Sequence, residues 1–235
     1  MSMYVVIGVT VLVAAFVQGA TGLGFALISG PVVGMVAPRL LPVFLLIQMI
    51  PLNAYVTWRE RHALDGEGTT WISLGRFAGT FGGLGVLFLV TEQQLGQLIG
   101  ISTVLAVLLT LLAPSFEPGR TAFLAAGLVT GVTETSTGVG GPPLALVYQH
   151  RPAPVLRSTV AACFLIGEVI SVVLLAITDS ISRDQLRVAF FLLPAVIVGA
   201  LLSRLVHHRL DGRVMRYLVL GFALASGVVV TVQAW

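Results

Sequence analysis

Two short glycine-rich stretches interrupt apolar runs of this sequence. The first is residues 18–24, Gln-Gly-Ala-Thr-Gly-Leu-Gly, and the second is residues 133–141, Thr-Glu-Thr-Ser-Thr-Gly-Val-Gly-Gly. Each is followed by an apolar segment that begins near Phe25 or Pro142, and proline suits the first turn of a helix. The first N–H groups of a helix are unpaired and carry the positive end of its dipole. Each interruption therefore predicts a helix N-terminus that can bind an anion.

The side chains of these stretches would add hydrogen bonds to the oxygen atoms of an oxyanion. Their hydroxyl and amide groups are donors, and glycine lets the backbone approach a ligand closely. The candidate substrate-binding residues are Gln18, Gly19, Thr21, Gly22, Gly24, Glu134, Thr135, Ser136, Thr137, Gly138 and Gly140. The alternative is that these residues only cap and pack broken helices, and the sequence leaves both interpretations open.

Two carboxylates and one arginine lie within or beside apolar runs. Glu134 falls in the second interruption, and Glu168 lies in the middle of another run. Carboxylates at membrane depth are costly and often serve as proton relays, so both are candidates for proton coupling. Alternatively, one or both bond to a neighbouring helix or pair with an arginine such as Arg157. Arg76, near the start of its run, is expected to extend toward the membrane surface.

Composition places these residues in a membrane protein. The 235 residues are 57% hydrophobic and 10% charged, whereas a soluble domain has about 25% charged residues. Mean hydropathy is +1.00, and no soluble core could bury that much apolar surface. All 13 basic residues are arginines, and they lie mostly between the apolar runs rather than in one patch. A nucleic-acid partner is therefore not expected, and the lipid bilayer is.

The apolar runs form two sets of four in the same order. About 20 apolar residues cross a bilayer as a helix. The first set is 4–37 (interrupted), 40–58, 71–90 and 94–113, and the second is 120–150 (interrupted), 155–177, 185–206 and 213–234. A shift of 116 positions places Thr21 on Thr137 and Gln18 on Glu134. We therefore predict two related halves, residues 1–116 and 117–235, in one membrane domain; chance matching of glycine and valine is the alternative.

Arginine positions predict how the two halves are oriented, because short cytoplasmic loops carry an excess of positive charge. If each interrupted run crosses once, the arginines divide six to seven; if each enters and returns, they divide ten to three. The ten are Arg59, Arg61, Arg76, Arg120, Arg151, Arg157, Arg204, Arg209, Arg213 and Arg216, and the three are Arg39, Arg183 and Arg187. The uneven division favours re-entrant hairpins, inverted halves and termini outside the cytoplasm.

The predicted fold is an all-α, polytopic membrane protein. It has two inverted repeats, each with a broken helical hairpin plus three full transmembrane helices. Hairpin arms at 4–18 and 25–37 would measure about 22 Å and 20 Å at 1.5 Å per residue, short of a hydrocarbon core of about 30 Å. Each arm is therefore expected to reach only part of the way. Five crossings per half would give the same inversion, and the sequence leaves this alternative open. The small-xxx-small spacing of Gly75, Gly79 and Gly83 predicts close helix packing.

The two motifs together resemble those of the sulfite exporter TauE/SafE family of membrane permeases. The resemblance is carried by Gln18 to Phe25 in one half, and by Gly131 to Glu134 with Gly138 to Pro143 in the other. It implies a secondary transporter, placed in the bacterial plasma membrane, that exports sulfite, sulfoacetate or a related small organosulfonate by alternating access. Proton coupling and a homo-oligomer are left open. The alternative is an anion channel, or an importer of another small anion.

Enzymatic, metal and cofactor chemistry is not expected. Cys163 has no second cysteine to join in a disulfide or thiolate cluster, and the four histidines give no spaced metal set. The sequence contains no GxxxxGK[ST] motif for ATP. It also contains no nucleophile, base and orienting partner spaced for catalysis.

Overall fold

The structure, a computed structural model, describes residues 2–112, 117–206 and 212–233. These residues form ten α-helices and two short 3-10 helices, at Pro38–Leu40 and Arg61–Ala63. The α-helices are α1 Ser2–Thr21, α2 Phe25–Val36, α3 Val43–Arg59, α4 Gly66–Leu89, α5 Glu92–Leu112, α6 Arg120–Thr137, α7 Gly141–Tyr148, α8 Ala153–Ile177, α9 Arg183–Val206 and α10 Gly212–Gln233. The described part of the chain is thus all-α, as predicted.

Polar caps fix where several helices begin. The Asp65 side chain accepts the N–H of Gly68 at 3.0 Å and starts α4. Thr91 and Gln94 exchange reciprocal hydrogen bonds, a capping box that starts α5. Because of its cap, α4 begins at Gly66, five residues before the predicted run at 71. The prediction began too late because it included apolar residues only, whereas residues 66–70 are helical but largely polar or glycine.

The outer surface of the bundle is largely apolar. Leu89, Phe190 and Phe191 are 84%, 62% and 68% exposed. Among the described residues, four helices are long and apolar enough to cross a membrane: Met3–Thr21, Gly66–Leu89, Ala153–Ile177 and Arg183–Leu205. Buried polar side chains lie inside instead, among them Gln18, Asn53, Arg76, Glu134 and Glu168. An apolar exterior around a polar interior is the arrangement that a lipid environment requires.

Two helix pairs run side by side in parallel at very close range. On α4, a Cβ atom at Gly75, Gly79 or Gly83 would collide with the main chain of α6. This is the close packing that the spacing of the three glycines predicts. The pair formed by α1 and α9 is similar, since a Cβ at Gly199 would collide with the Leu12 carbonyl.

Contacts between the halves follow a two-fold pattern. Under the shift of 116 positions, α1 to α5 correspond in order to α6 to α10. The packing of α1 on α9 is then matched by that of α6 on α4, and α3 on α9 by α8 on α4. Likewise α2 on α10 is matched by α7 on α5, while α3 pairs with α8 and α5 with α10. If each helix is replaced by its counterpart in the other half, every one of these contacts becomes another contact in the set or itself.

The helices α6 and α7 form a hairpin, hairpin 2, whose two ends lie at the beginning of α4. Arg120, the first residue of α6, donates through Nε to Glu67 Oε1 at 2.7 Å. Tyr148, the last residue of α7, donates through its hydroxyl to Asp65 Oδ2 at 2.8 Å. Asp65 and Glu67 are both at the start of α4, so the chain returns to the end of the bundle from which it came.

The helices α1 and α2 form hairpin 1, whose two ends lie beside the first turns of α9. The Tyr4 ring packs edge-on against Phe191 with ring centroids 6.4 Å apart. Beyond α2, the Arg39 carbonyl accepts a hydrogen bond from Gln185 Nε2 at 3.0 Å. Hairpin 1 therefore starts and finishes at the end of the bundle where α9 begins, and hairpin 2 at the end where α4 begins.

The first arm of hairpin 1 is longer than predicted, and the first arm of hairpin 2 is of similar length. The 20 residues of α1 and the 18 of α6 give lengths of about 30 Å and 27 Å. The prediction of a part-way first arm was wrong because it ended the helix at Gln18, whereas Gly19 to Thr21 continue it. The second arms are short, as predicted, with 12 residues in α2 and eight in α7.

Arginines gather at one end of the bundle, here called the arginine-rich end and defined by residues 59–66 and 148–157. Arg39, Arg183 and Arg187 lie near the other end. Arg76 belongs to neither group, because its side chain is fully buried. The expectation that it extends to the surface was wrong: α4 begins earlier than predicted, so Arg76 is deep in its helix. Arg209 lies outside the described residues, as do the side chains of Arg213 and Arg216.

Candidate anion-binding site

Glycine turns break both hairpins at corresponding positions. Gly22 has φ 90° and Gly138 has φ 79°, a left-handed backbone that favours glycine. The N–H of Gly22 donates to the Gln18 carbonyl at 2.7 Å, and that of Gly138 to the Glu134 carbonyl at 2.8 Å. Both are left-handed helix C-caps. The two predicted interruptions are therefore confirmed as helix breaks, but they are confined to residues 22–24 and 138–140.

Threonines brace the two turns in the same way. Thr21 Oγ1 accepts the N–H of Leu23 at 3.3 Å, and Thr137 Oγ1 accepts that of Val139 at 3.2 Å. Each hydroxyl also donates to a carbonyl of its own hairpin. Ser136 likewise donates to the Val132 carbonyl at 2.8 Å. The two threonine hydroxyls thus hold the turns together and the Ser136 hydroxyl bonds within α6, which agrees with the capping interpretation.

The remaining predicted site residues take other positions. Thr135 shares a hydrogen bond of 2.8 Å with Ser171 of α8. Gly140 lies against Glu134, and its carbonyl accepts the Thr130 hydroxyl at 3.1 Å. Gly24 is the N-cap of α2, whereas Gly19 lies in the last turn of α1 and packs against α9.

The two breaks are neighbours in the interior of the bundle. Leu23 Cδ2 lies 3.5 Å from the position that a Cβ would take on Gly141. Val139 Cγ2 lies 3.0 Å from the corresponding position on Gly30. Residues at or beside each break thus pack against the opposite hairpin.

A chain of buried side chains leads from hairpin 1 into α8. Gln18 Oε1 accepts the N–H of Phe25 at 2.9 Å, and Gln18 Nε2 donates to Asn53 Oδ1 at 2.9 Å. Asn53 Nδ2 in turn donates to Glu168 Oε1 at 2.6 Å. The start of α2 is therefore connected to Glu168 through two neutral amides.

The two hairpins offer unequal numbers of backbone donors. The helical ladder of α2 begins where the Ile28 N–H meets the Gly24 carbonyl at 2.9 Å, so the N–H groups of Ala26 and Leu27 precede it. In α7, Pro142 and Pro143 occupy the first turn and have no N–H. Amide donors for an anion therefore come mainly from α2.

The charge at the site is carried by an ion pair that sequence reasoning missed. Arg76 Nη2 donates to Glu134 Oε2, and the two side chains are 1% and 0% exposed. The guanidinium lies flat against Gly167, 5.4 Å from the centre of the Phe164 ring. Arg157, the suggested partner of a buried carboxylate, instead pairs with Glu60 at 2.8 Å. If α4 is taken to begin after the Asp65 cap, Arg76 lies about three turns into the helix. This position would have indicated that Arg76 is a buried partner for a carboxylate.

We define Arg76, Glu134 and Glu168 as the charged triad. Glu168 lies close enough to the other two to interact with both electrostatically. Four of its buried charged atoms have no hydrogen-bond partner among the described residues: Arg76 Nε, Arg76 Nη1, Glu134 Oε1 and Glu168 Oε2. An unpaired buried polar group is costly. The triad therefore has free hydrogen-bond donors, and binding a further polar group would remove the energetic cost of leaving these atoms unpaired.

Substituting Gly167 tests how tightly Arg76 is held. A methyl group in Gly167→Ala would collide with the guanidinium, and we expect overpacking to lower the free energy of unfolding by about 1–3 kcal/mol. The measurement is chemical denaturation of purified protein. Gly85→Ala is the control, because a Cβ there meets open space. Equal stability of the two variants would contradict the close contact.

The chain was compared with known proteins. The family model of the sulfite exporter TauE/SafE matches residues 7–230, which include hairpin 2, the charged triad and all of hairpin 1 except residues 2–6. No curated protein and no solved structure gives a significant match. The match extends over nearly the whole chain and agrees with the four membrane-length helices of a multi-pass membrane protein. The chain belongs to the sulfite exporter TauE/SafE family of membrane transporters.

Proposed function

We propose that this protein is a secondary transporter of the bacterial plasma membrane that exports sulfite or a small organosulfonate by alternating access. Family membership supports the substrate class. The single observation that carries the proposed mechanism is the buried guanidinium of Arg76, whose Nε and Nη1 have no partner among the described residues. These two donors point in different directions, so an oxygen atom of a sulfonate or sulfite would accept a charge-assisted hydrogen bond from one of them.

The anion would bind between Arg76 and the first turn of α2. There it would meet the cation, the backbone N–H groups of α2 and the neutral amides of Gln18 and Asn53. Helix N-termini and glycine turns are established features of such sites. The threonine and serine hydroxyls would act indirectly, by holding the turns in shape.

Glu134 would compete with the anion for Arg76. When Glu134 is ionised it occupies Nη2, and Glu168 adds a second negative charge nearby. A proton on either carboxylate would weaken this competition, so proton and anion binding would favour each other. A sulfite dianion accompanied by one proton still carries one negative charge outward. An inside-negative potential favours that movement by about 2.3 kcal/mol per 100 mV.

Alternating access would use the two halves, residues 1–116 and 117–235, as inverted repeats. The matched contacts between the halves support this arrangement, as does the position of the hairpins at opposite ends of the bundle. In transporters of this kind the binding site lies where the repeats meet. The positive-inside rule would make the arginine-rich end cytoplasmic.

Counterflow tests the proposed function. Proteoliposomes loaded with unlabelled sulfite should transiently accumulate external ³⁵S-sulfite above its equilibrium level. Sulfoacetate and methanesulfonate inside the vesicles should support the same overshoot, whereas acetate should not. With the membrane potential clamped at zero, a channel cannot produce an overshoot. Non-saturating anion currents without counterflow would therefore replace the carrier with a channel.

Proton coupling is tested with Glu134→Gln and Glu168→Gln. We expect the apparent affinity for sulfite to increase as pH falls in the wild type and to depend less on pH in at least one variant, since glutamine mimics a protonated carboxylate. The measurement is counterflow over a pH series. The titration of sulfite itself is common to all variants and cancels in the comparison. Unchanged pH dependence in both variants would remove the proton relay.

A further inference from the structure

A second basic feature lies at the arginine-rich end, away from the charged triad. It is a pocket of about 240 Å³, here called the vestibule, lined by Tyr55, Trp58, Arg59, Arg61, His62 and Arg204. At ~30 Å³ per water, this volume has room for about eight waters. A small oxyanion with part of its hydration shell therefore fits.

The vestibule is lined mainly by basic and aromatic side chains. Three of its side chains are arginines, and none of the described residues that line it is acidic. The nearest carboxylate, Glu60, is already held by Arg59 at 2.9 Å and by Arg157 at 2.8 Å. A concave surface lined by charges of one sign concentrates ions of the opposite sign. The electrostatics therefore favour an anion.

The vestibule adjoins the tip of hairpin 1. Arg59, one of its walls, donates through Nη2 to the Gly19 carbonyl at 2.7 Å and through Nη1 to Ser203 at 3.3 Å. The next residue after Ser203, Arg204, also lines the pocket. One residue along from Gly19 is Gln18, whose side chain contacts the start of α2. An anion in the vestibule would thus contact the same arginine that holds the tip.

We propose that the vestibule is a second oxyanion site, which receives the anion at the arginine-rich end before it reaches the charged triad. The proposal rests on the proposed function for its role in transport, but the binding itself does not. The chemistry recognised is a single oxyanion group with a negative charge. Such a group is present on free sulfite and also on the headgroup of an anionic lipid.

Calorimetric titration of purified protein with sulfite, under anaerobic conditions, tests the proposal. The background is Arg76→Gln with Glu134→Gln, in which the cation of the central site is removed. This variant should still bind sulfite, and adding Arg61→Gln with Arg204→Gln should weaken that binding by roughly tenfold or more. The matched control adds Arg120→Gln with Arg151→Gln, which removes two arginines elsewhere at the same end and should leave the affinity unchanged.

A second arm uses the intact central site. With Arg76 and Glu134 in place, Arg61→Gln with Arg204→Gln should raise the KM for sulfite counterflow while leaving the maximal rate unchanged. The two proposals can fail separately. Absence of counterflow in the wild type would contradict the proposed function, whereas an unchanged KM in the Arg61 and Arg204 variant would contradict only the role of the vestibule in transport. Phosphatidylglycerol nanodiscs test whether the anion can come from a lipid headgroup. If this lipid blocks the sulfite binding that depends on Arg61 and Arg204, the site also accepts headgroups.

Two results would contradict the proposal that the vestibule binds an oxyanion. One is the absence of sulfite binding in the background variant, in both detergent and neutral nanodiscs. The other is equal weakening by the Arg61 and Arg204 changes and by the Arg120 and Arg151 changes, which would reduce the effect to the overall charge of that end.

Discussion

Arg76→Gln is expected to abolish transport and to destabilise the protein. The change leaves the Glu134 carboxylate buried without its ion-pair partner, and removing one member of a buried pair costs about 3–5 kcal/mol. Adding Glu134→Gln places neutral amides at both positions and should recover much of the lost stability. It should not recover transport, because no cation then remains to hold the anion. Chemical denaturation and sulfite counterflow measure the two effects separately.

Arg120→Gln is the control for this experiment. It removes an ion pair with Glu67 whose side chains are 70% and 59% exposed, and exposed pairs contribute about 1 kcal/mol or less. We expect nearly unchanged stability and transport. Counterflow at the wild-type rate in the Arg76 and Glu134 double variant would show that the guanidinium is not needed to bind the anion.

Gly22→Ala and Gly138→Ala are expected to have the second largest effects. Both glycines have positive φ, where a Cβ atom costs about 1–2 kcal/mol. The added atom would also lie 2.7 Å from Arg157 Cγ in one case and 2.7 Å from Leu45 Cδ1 in the other. Because these turns set the position of the α2 and α7 helix starts, strain of this size should lower the apparent sulfite affinity about tenfold. Concentration-dependent counterflow gives that affinity.

Gly85→Ala again serves as the control. It lies within α4, where its Cβ meets nothing, and alanine in a helix interior is better than glycine by about 0.5–1 kcal/mol. Stability should therefore rise slightly and transport should not change. If both turn variants transported with wild-type affinity, the breaks would not form the binding site.

The helix breaks could be predicted from sequence because their causes are local. A left-handed cap such as Gly22 or Gly138 requires glycine within a few residues of the helix end, and this pattern is visible in the chain. Long apolar runs likewise predict helices, and four of these helices are long and apolar enough, within the described residues, to cross a membrane. The end of α1 and the start of α4 were less predictable, because helical residues need not be apolar: Gly19 to Thr21 continue α1, and Gly66 to Thr70 precede the apolar part of α4.

The charged triad was less accessible because its contacts join residues distant in sequence. Asn53 meets Glu168 and Arg76 meets Glu134 only after α3, α4, α6 and α8 have packed together. No periodicity encodes such pairs. The sequence did show that Glu134 and Glu168 needed partners, and an arginine deep in α4 was the available cation.

The threonine and serine residues show a second limit of sequence reasoning. A hydroxyl in a glycine-rich break suits both a ligand contact and a cap, and residue type alone does not separate them. Local geometry does: Thr21 and Thr137 bond to their own turns. The proposed function therefore places the ligand contacts on Arg76 and the backbone of α2 rather than on these hydroxyls.

The most direct test of a central anion site is to locate the anion itself. Selenite has the same shape and charge type as sulfite, and selenium gives an anomalous diffraction signal. In crystals of the protein soaked with selenite, we predict a selenium peak beside the first turn of α2, at a distance that lets a selenite oxygen accept a hydrogen bond from Arg76 Nε or Nη1. A peak confined to the vestibule or the surface, with none at Arg76, would contradict the proposed mechanism.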